Sequence, residues 1–89
     1  MEVRFGSKAI THLAYWKKSG NTAIQKKITQ LITAIQEDPY KGIGKPEPLK
    51  YELSGSWSRR INAEHRMVYQ IFDDNTIVIL EIQSLKGHY

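Results

Sequence analysis

At 89 residues the chain is one domain near the small end of what folds alone, so a single modest core must hold it. Its 40% hydrophobic and 25% charged residues exclude a disordered tail or a fibrous protein, and the lack of cysteine excludes disulfides and cysteine-bound metal. A net charge of +4 favours a polyanion or an acidic protein as partner but is too small to say which.

The longest aliphatic run, Ile77 to Leu80, falls far short of the roughly 20 apolar residues that a membrane span requires. The N-terminus carries Glu2 and Arg4 among its first residues and lacks the apolar core of a signal peptide. The expectation is a cytoplasmic protein with no membrane contact.

Met1 to Phe5 alternates apolar and charged residues, the period of a half-buried strand. Gly6-Ser7 breaks it, with Ser7 as the expected N-cap of a first helix. In Lys8 to Ser19 the residues Ile10, Leu13, Ala14 and Trp16 supply an apolar side, and Gly20 ends the helix. Asn21 or Thr22 caps the next. There Ile24, Ile28, Leu31, Ile32 and Ile35 form one continuous stripe, until Asp38-Pro39 pushes the backbone out of the helical region. Residues 39–48 hold all three prolines and two of the six glycines, and read as a loop. A loop this long in so small a domain is more often functional than filler.

Leu49 to Leu53 reads as a short strand and Ser54-Gly55 as a turn. Trp57 to Ile61 and Arg66 to Phe72 read as a hairpin, and Thr76 to Leu85, rich in β-branched residues and apolar on both faces, as an interior strand. The order β-α-α-β-β-β-β predicts an α+β sandwich, two helices on a mostly antiparallel sheet.

Chemistry concentrates in the loop, the hairpin and the chain's end. From Lys41 to Arg66 there are six basic residues (Lys41, Lys45, Lys50, Arg59, Arg60, Arg66) against three acidic ones (Glu47, Glu52, Glu64). Glu47 lies between Pro46 and Pro48, whose rings restrict the backbone around its carboxylate. It could be an exposed loop glutamate or a general base held within reach of its proton. Lys45 and Lys50 place positive charge beside it and attract phosphate. Alternation puts Arg66, Val68 and Gln70 on one face of their strand and Met67, Tyr69 and Ile71 on the other. Arg59 and Arg60 are adjacent, so only one can share a surface with Arg66. Arginine's planar fork suits phosphate. His88, next to last, could simply fray at the terminus, yet histidine exchanges protons near neutrality. His12, without such company, reads as structural. No phosphate-binding glycine loop, His-Glu-x-x-His or Gly-x-Ser-x-Gly pattern competes.

Four motifs then carry a resemblance: Gly-Lys-Pro-Glu-Pro-Leu-Lys (44–50), Leu-Ser-Gly-x-Trp-Ser-Arg-Arg-Ile (53–61), Glu-His-Arg-Met-Val-Tyr (64–69) and a terminal His-Tyr. Together with Tyr15-Trp16 they closely resemble YoeB/Txe-type toxins of the RelE superfamily, over nearly the whole chain. The resemblance implies a single RelE-like domain over residues 1–89 that cleaves mRNA on the ribosome without metal or other cofactor. It implies Glu47 as general base, Arg66 at the scissile phosphate, His88 as general acid and Tyr89 as a substrate-positioning residue. Lys45, Lys50, Arg59 and Arg60 would line the RNA-binding surface. The approach to the histidine, Lys86-Gly87, lacks an aromatic residue that some members carry. Implied partners are a cognate acidic antitoxin of the YefM/Phd type, mRNA on the ribosome and ribosomal RNA; a homodimer stays open. The alternatives are a non-catalytic toxin of the same fold that inhibits DNA gyrase, and a basic RNA-binding module.

Overall fold

The structure, a computed structural model, describes residues 1–87; His88 and Tyr89 lie outside the described residues. Strand β1 (Glu2–Phe5) precedes helices α1 (Ser7–Ser19) and α2 (Thr22–Glu37), then come β2 (Glu47–Pro48), β3 (Trp57–Arg60), β4 (Arg66–Asp73) and β5 (Val78–Ser84). One sheet results, in the order β1-β5-β4-β3-β2, with β1 parallel to β5 and the remaining pairs antiparallel. The expected α+β arrangement holds, and β5 is interior, paired on both sides as its composition requires. No helix among the described residues is long and apolar enough to cross a membrane.

Helix α2 supplies most of the helical half of the core. Asn21 caps it, its side-chain oxygen accepting from the Ile24 N–H at 3.1 Å. Ile24, Ile28, Leu31 and Ile35 are buried against Met67, Tyr69, Leu80 and Ile82 of the sheet, and Ile32 is half-buried beside them. The apolar period of the sequence therefore sets the packed face directly.

Helix α1 departs from expectation at two points. Gly6, not Ser7, is its N-cap: the Gly6 N–H donates to the Ile82 carbonyl at 2.8 Å and its own carbonyl accepts from Ile10 at 3.0 Å. The helix thus starts one residue early, tied to the sheet. Its buried side runs through Ala9, Leu13 and Trp16, while Ile10 is 56% exposed and Ala14 also faces out. Trp16 sets this seam, because its indole N–H donates to the buried Leu85 carbonyl at 2.9 Å. One helical turn back from Trp16 lie His12 and Leu13, and two turns back lies Ala9, rather than Ile10 and Ala14.

His12 bonds into the same seam, its Nδ1 accepting from the Leu85 N–H at 3.0 Å. Burial, then the nearby Lys8 and Lys86 ammonium groups, lower its pKa from the usual 6.5. As pH falls, the unfolded chain takes up this proton first, so the stability from neutral His12 is complete above pH 6.5 and is lost as pH drops through the lower folded value. Thermal midpoints measured from pH 7.5 to 5 should fall more steeply for the wild type than for His12→Asn. Parallel curves would show that His12 makes no such contribution.

The expected strand Leu49–Leu53 does not form. Strand β2 is the shorter Glu47–Pro48, at the sheet's edge, and Tyr51–Leu53 make a single 3-10 turn. Pro48 lacks an N–H and so suits an edge. Tyr51 has a left-handed φ of 58°, which turns the chain out of the ladder after the Leu49 N–H donates to Ser56 at 2.9 Å.

Candidate active site

The β3–β4 register organises the site: Ser58 pairs with Val68 and Arg60 with Arg66, while β2 brings Glu47 opposite Ser58. Paired residues share a face, so Glu47, Arg60 and Arg66 all lie on the side of the sheet away from the helices. Met67, Tyr69 and Ile71 pack into the core on the other side, as alternation predicts. Two strand spacings and one two-residue step separate the Glu47 and Arg66 backbones by about 12 Å. Side chains of this length can face each other across one sugar–phosphate unit.

Arg60 is exposed and Arg66 half-exposed, directly opposite each other. Like charges in register repel, and an anion between them removes the repulsion. Lys45, Lys50 and Glu47 are exposed nearby. Arg66 donates from Nη1 to the carbonyls of Asn62 at 2.9 Å, Ala63 at 3.5 Å and His65 at 3.3 Å, so its guanidinium rests on its own turn.

Arg59 requires a correction. Expected on the RNA-binding surface, it is 0% exposed and points into the core face. Its Nε donates to the Tyr69 hydroxyl at 3.2 Å, Nη1 to Ile43 at 3.1 Å, and Nη2 to Asp38 at 2.6 Å and Lys41 at 2.9 Å. Tyr69 in turn donates to the Pro39 carbonyl at 2.6 Å. Burial pushes the Tyr69 hydroxyl pKa up, against the opposing hydrogen bond and charge of Arg59. Together the two side chains gather the carbonyls of residues 38–43.

This gathering aims the loop that carries Glu47. The Arg60 N–H donates to Gly44 at 2.6 Å, fixing the loop to β3. Gly44 has a φ of 83°, and a Cβ there would stand 2.9 Å from a Leu31 methyl and 3.1 Å from the Arg59 Cβ, so only glycine fits. Lys45 (φ 50°) and Tyr51 (φ 58°) are left-handed without being glycine and bracket Glu47 on both sides. The carboxylate is thus presented by a backbone held in place from below.

Gly87 comes to the same place. The Arg66 N–H donates to the Gly87 carbonyl at 3.0 Å, and the Gly87 N–H donates to His65 Nδ1 at 2.8 Å. His88 and Tyr89, expected as general acid and substrate-positioning residue, lie outside the described residues. A recess of about 520 Å³ continues the open face, walled by Lys8, Leu53, Ser56, Gln70, Gln83 and Lys86. Sequence reasoning gave His65 no role; its partner Gly87 is 22 residues away, and no local pattern signals the contact.

A family model for the YoeB-like toxin of bacterial type II toxin-antitoxin systems matches residues 5–89. The Toxin YoeB of Synechocystis sp. is 48% identical over 85 residues, which are 91% of this chain and 94% of that protein. A YoeB/ParE toxin from Agrobacterium tumefaciens superimposes with a TM-score of 0.93 at 35% identity, over 100% of both chains. A Staphylococcus aureus chain from a heterotetrameric YoeB-YefM toxin-antitoxin complex gives a TM-score of 0.84 at 40% identity, over 100% of this chain and 98% of that one.

Proposed function

Because the chain belongs to the YoeB-like toxins of bacterial type II toxin-antitoxin systems, we propose that it is an endoribonuclease that cuts mRNA on the ribosome. The observation that carries this reading is the sharing of one sheet face by Glu47, Arg60 and Arg66, with Gly87 hydrogen-bonded to the Arg66 backbone. The Glu47 carboxylate takes the proton of a ribose 2′-hydroxyl. The 2′ oxygen attacks the adjacent phosphorus, and the bond from phosphorus to the 5′ oxygen breaks. His88 protonates that leaving oxygen, and Tyr89 positions the substrate. The products are a 5′-hydroxyl and a 2′,3′-cyclic phosphate or the 3′-phosphate formed by its hydrolysis. Arg66 stabilises the negative charge that builds on the phosphoryl oxygens. No covalent enzyme intermediate is needed, since the RNA carries its own nucleophile.

Lys45, Lys50 and Arg60 bind the RNA backbone in this scheme, and Arg59 supports them from beneath. An acidic, YefM-like antitoxin would cover the same basic face, a disordered segment folding onto it. The test maps cut ends on mRNA with and without ribosomes, using wild type, Glu47→Gln and His88→Ala. Each substitution should lower cleavage by about 10²–10⁴-fold. Undiminished cutting by both variants would end the assignment. DNA supercoiling by gyrase, assayed in parallel, would detect the non-catalytic alternative.

A further inference from the structure

We propose that His65 is a positioning residue for the cleavage reaction, holding Gly87 against Arg66 by accepting the Gly87 N–H on Nδ1. The inference rests on the reading of His88 as the general acid, which follows Gly87 directly in the chain.

Terminal residues normally fray, because few bonds restrain them. Here the backbone from Leu85 to Gly87 is held by three side chains and by one backbone bond to β4. The Leu85 N–H donates to His12 Nδ1 at 3.0 Å, and the Leu85 carbonyl accepts from the Trp16 indole at 2.9 Å. The Gly87 N–H donates to His65 Nδ1 at 2.8 Å, and its carbonyl accepts from the Arg66 N–H at 3.0 Å. Between them, the Lys86 ammonium lies 4.4 Å from the Tyr15 ring centroid. The regular β4–β5 register thus ends at Ser84, and beyond it side chains and one further backbone bond, to Arg66, hold the chain.

His65 is itself fixed on three sides. Its ring stands edge-to-face with Trp16 at 4.9 Å between centroids. Its Nε2 lies 3.2 Å from the Glu64 carboxylate, and its side chain is 13% exposed. A nitrogen that accepts a hydrogen bond carries no proton, so Nδ1 as acceptor leaves the proton on Nε2, the nitrogen nearest the Glu64 carboxylate. The Gly87 N–H thus fixes the tautomer, and the nearby carboxylate favours the same one. The same turn that holds Gly87 also carries the carbonyls on which the Arg66 guanidinium rests. One short element thus orients Arg66 and the approach to His88. A misplacement of about 1 Å can lower a rate by about 10²-fold.

The experiment compares His65→Asn, His65→Gln and His65→Leu in single-turnover cleavage of ribosome-bound mRNA. Asparagine places an oxygen where Nδ1 stands; glutamine places its amide at the Nε2 position instead. His65→Asn should stay within a few-fold of wild type, whereas His65→Gln and His65→Leu should lose roughly 10–100-fold in kcat with KM little changed. Adding His65→Leu to His88→Ala should cause no further loss, because the residue acts through the acid. Amide exchange at Gly87 should quicken in His65→Leu and not in His65→Asn. Equal rates for Asn and Gln, an undiminished effect of His65→Leu without His88, or unchanged Gly87 exchange would each overturn the proposal. If His88→Ala alone is silent, the functional reading fails and takes the catalytic part of this inference with it, while the exchange data still decide whether His65 holds Gly87.

Discussion

Arg59→Ala should lower the folding free energy by about 3–4 kcal/mol, read as a shift of the urea midpoint with the slope unchanged. The guanidinium is fully buried and donates to three backbone carbonyls and the Tyr69 hydroxyl. Each buried acceptor left without a donor costs about 1–3 kcal/mol, and the sum is reduced because the loop can swing some of them into water. Arg59→Lys should recover less than half of the loss. An ammonium is a point donor and cannot span carbonyls from Asp38, Lys41 and Ile43 as a planar fork does. The variant should also cleave more slowly at temperatures where it remains folded, since the loop it gathers leads through Gly44 to Glu47. A loss below about 1 kcal/mol would mean that water replaces the guanidinium at these carbonyls.

A signal for the burial of Arg59 existed in the chain. Trp57, Arg59 and Ile61 are spaced by two and share a face, alternating with Ser58 and Arg60, so the apolar pair flanking Arg59 marks the inward side. What local pattern cannot supply is the reason an arginine is tolerated there: a loop from 16 to 21 residues earlier folds back to offer its carbonyls. The α2 stripe and the alternation of β4 were legible because each depends only on its own period. The side of α1 was not, because Trp16 chooses it through a bond to Leu85, 69 residues on. Tyr51–Leu53 has the composition of a strand, yet the left-handed Tyr51 turns it aside. Of the site, the shared face of Glu47, Arg60 and Arg66 follows from strand alternation once β2 is paired at Glu47. The anchoring of Gly87 follows from no spacing at all.

Arg66→Ala should reduce single-turnover cleavage by about 10²–10³-fold, the effect of removing one donor aimed at developing negative charge. Stability should change little, because the hydrogen bonds it makes lie on the exposed turn of the hairpin. The more discriminating variant is Arg66→Lys. Arginine here donates to the turn from Nη1 alone, and among the described residues no acceptor engages its Nε or Nη2. One edge of the fork can therefore brace the side chain while the other faces a phosphate. An ammonium cannot divide itself in this way: satisfying the turn carbonyls draws its charge off the scissile group. Arg66→Lys should thus recover no more than about 10-fold over alanine. Arg60→Ala, by contrast, should weaken binding of the RNA and leave the chemical step nearly intact, with a shallower dependence on salt. Wild-type rates in Arg66→Lys would mean that charge alone suffices, and that the fork resting on Asn62 and His65 has no part in the reaction.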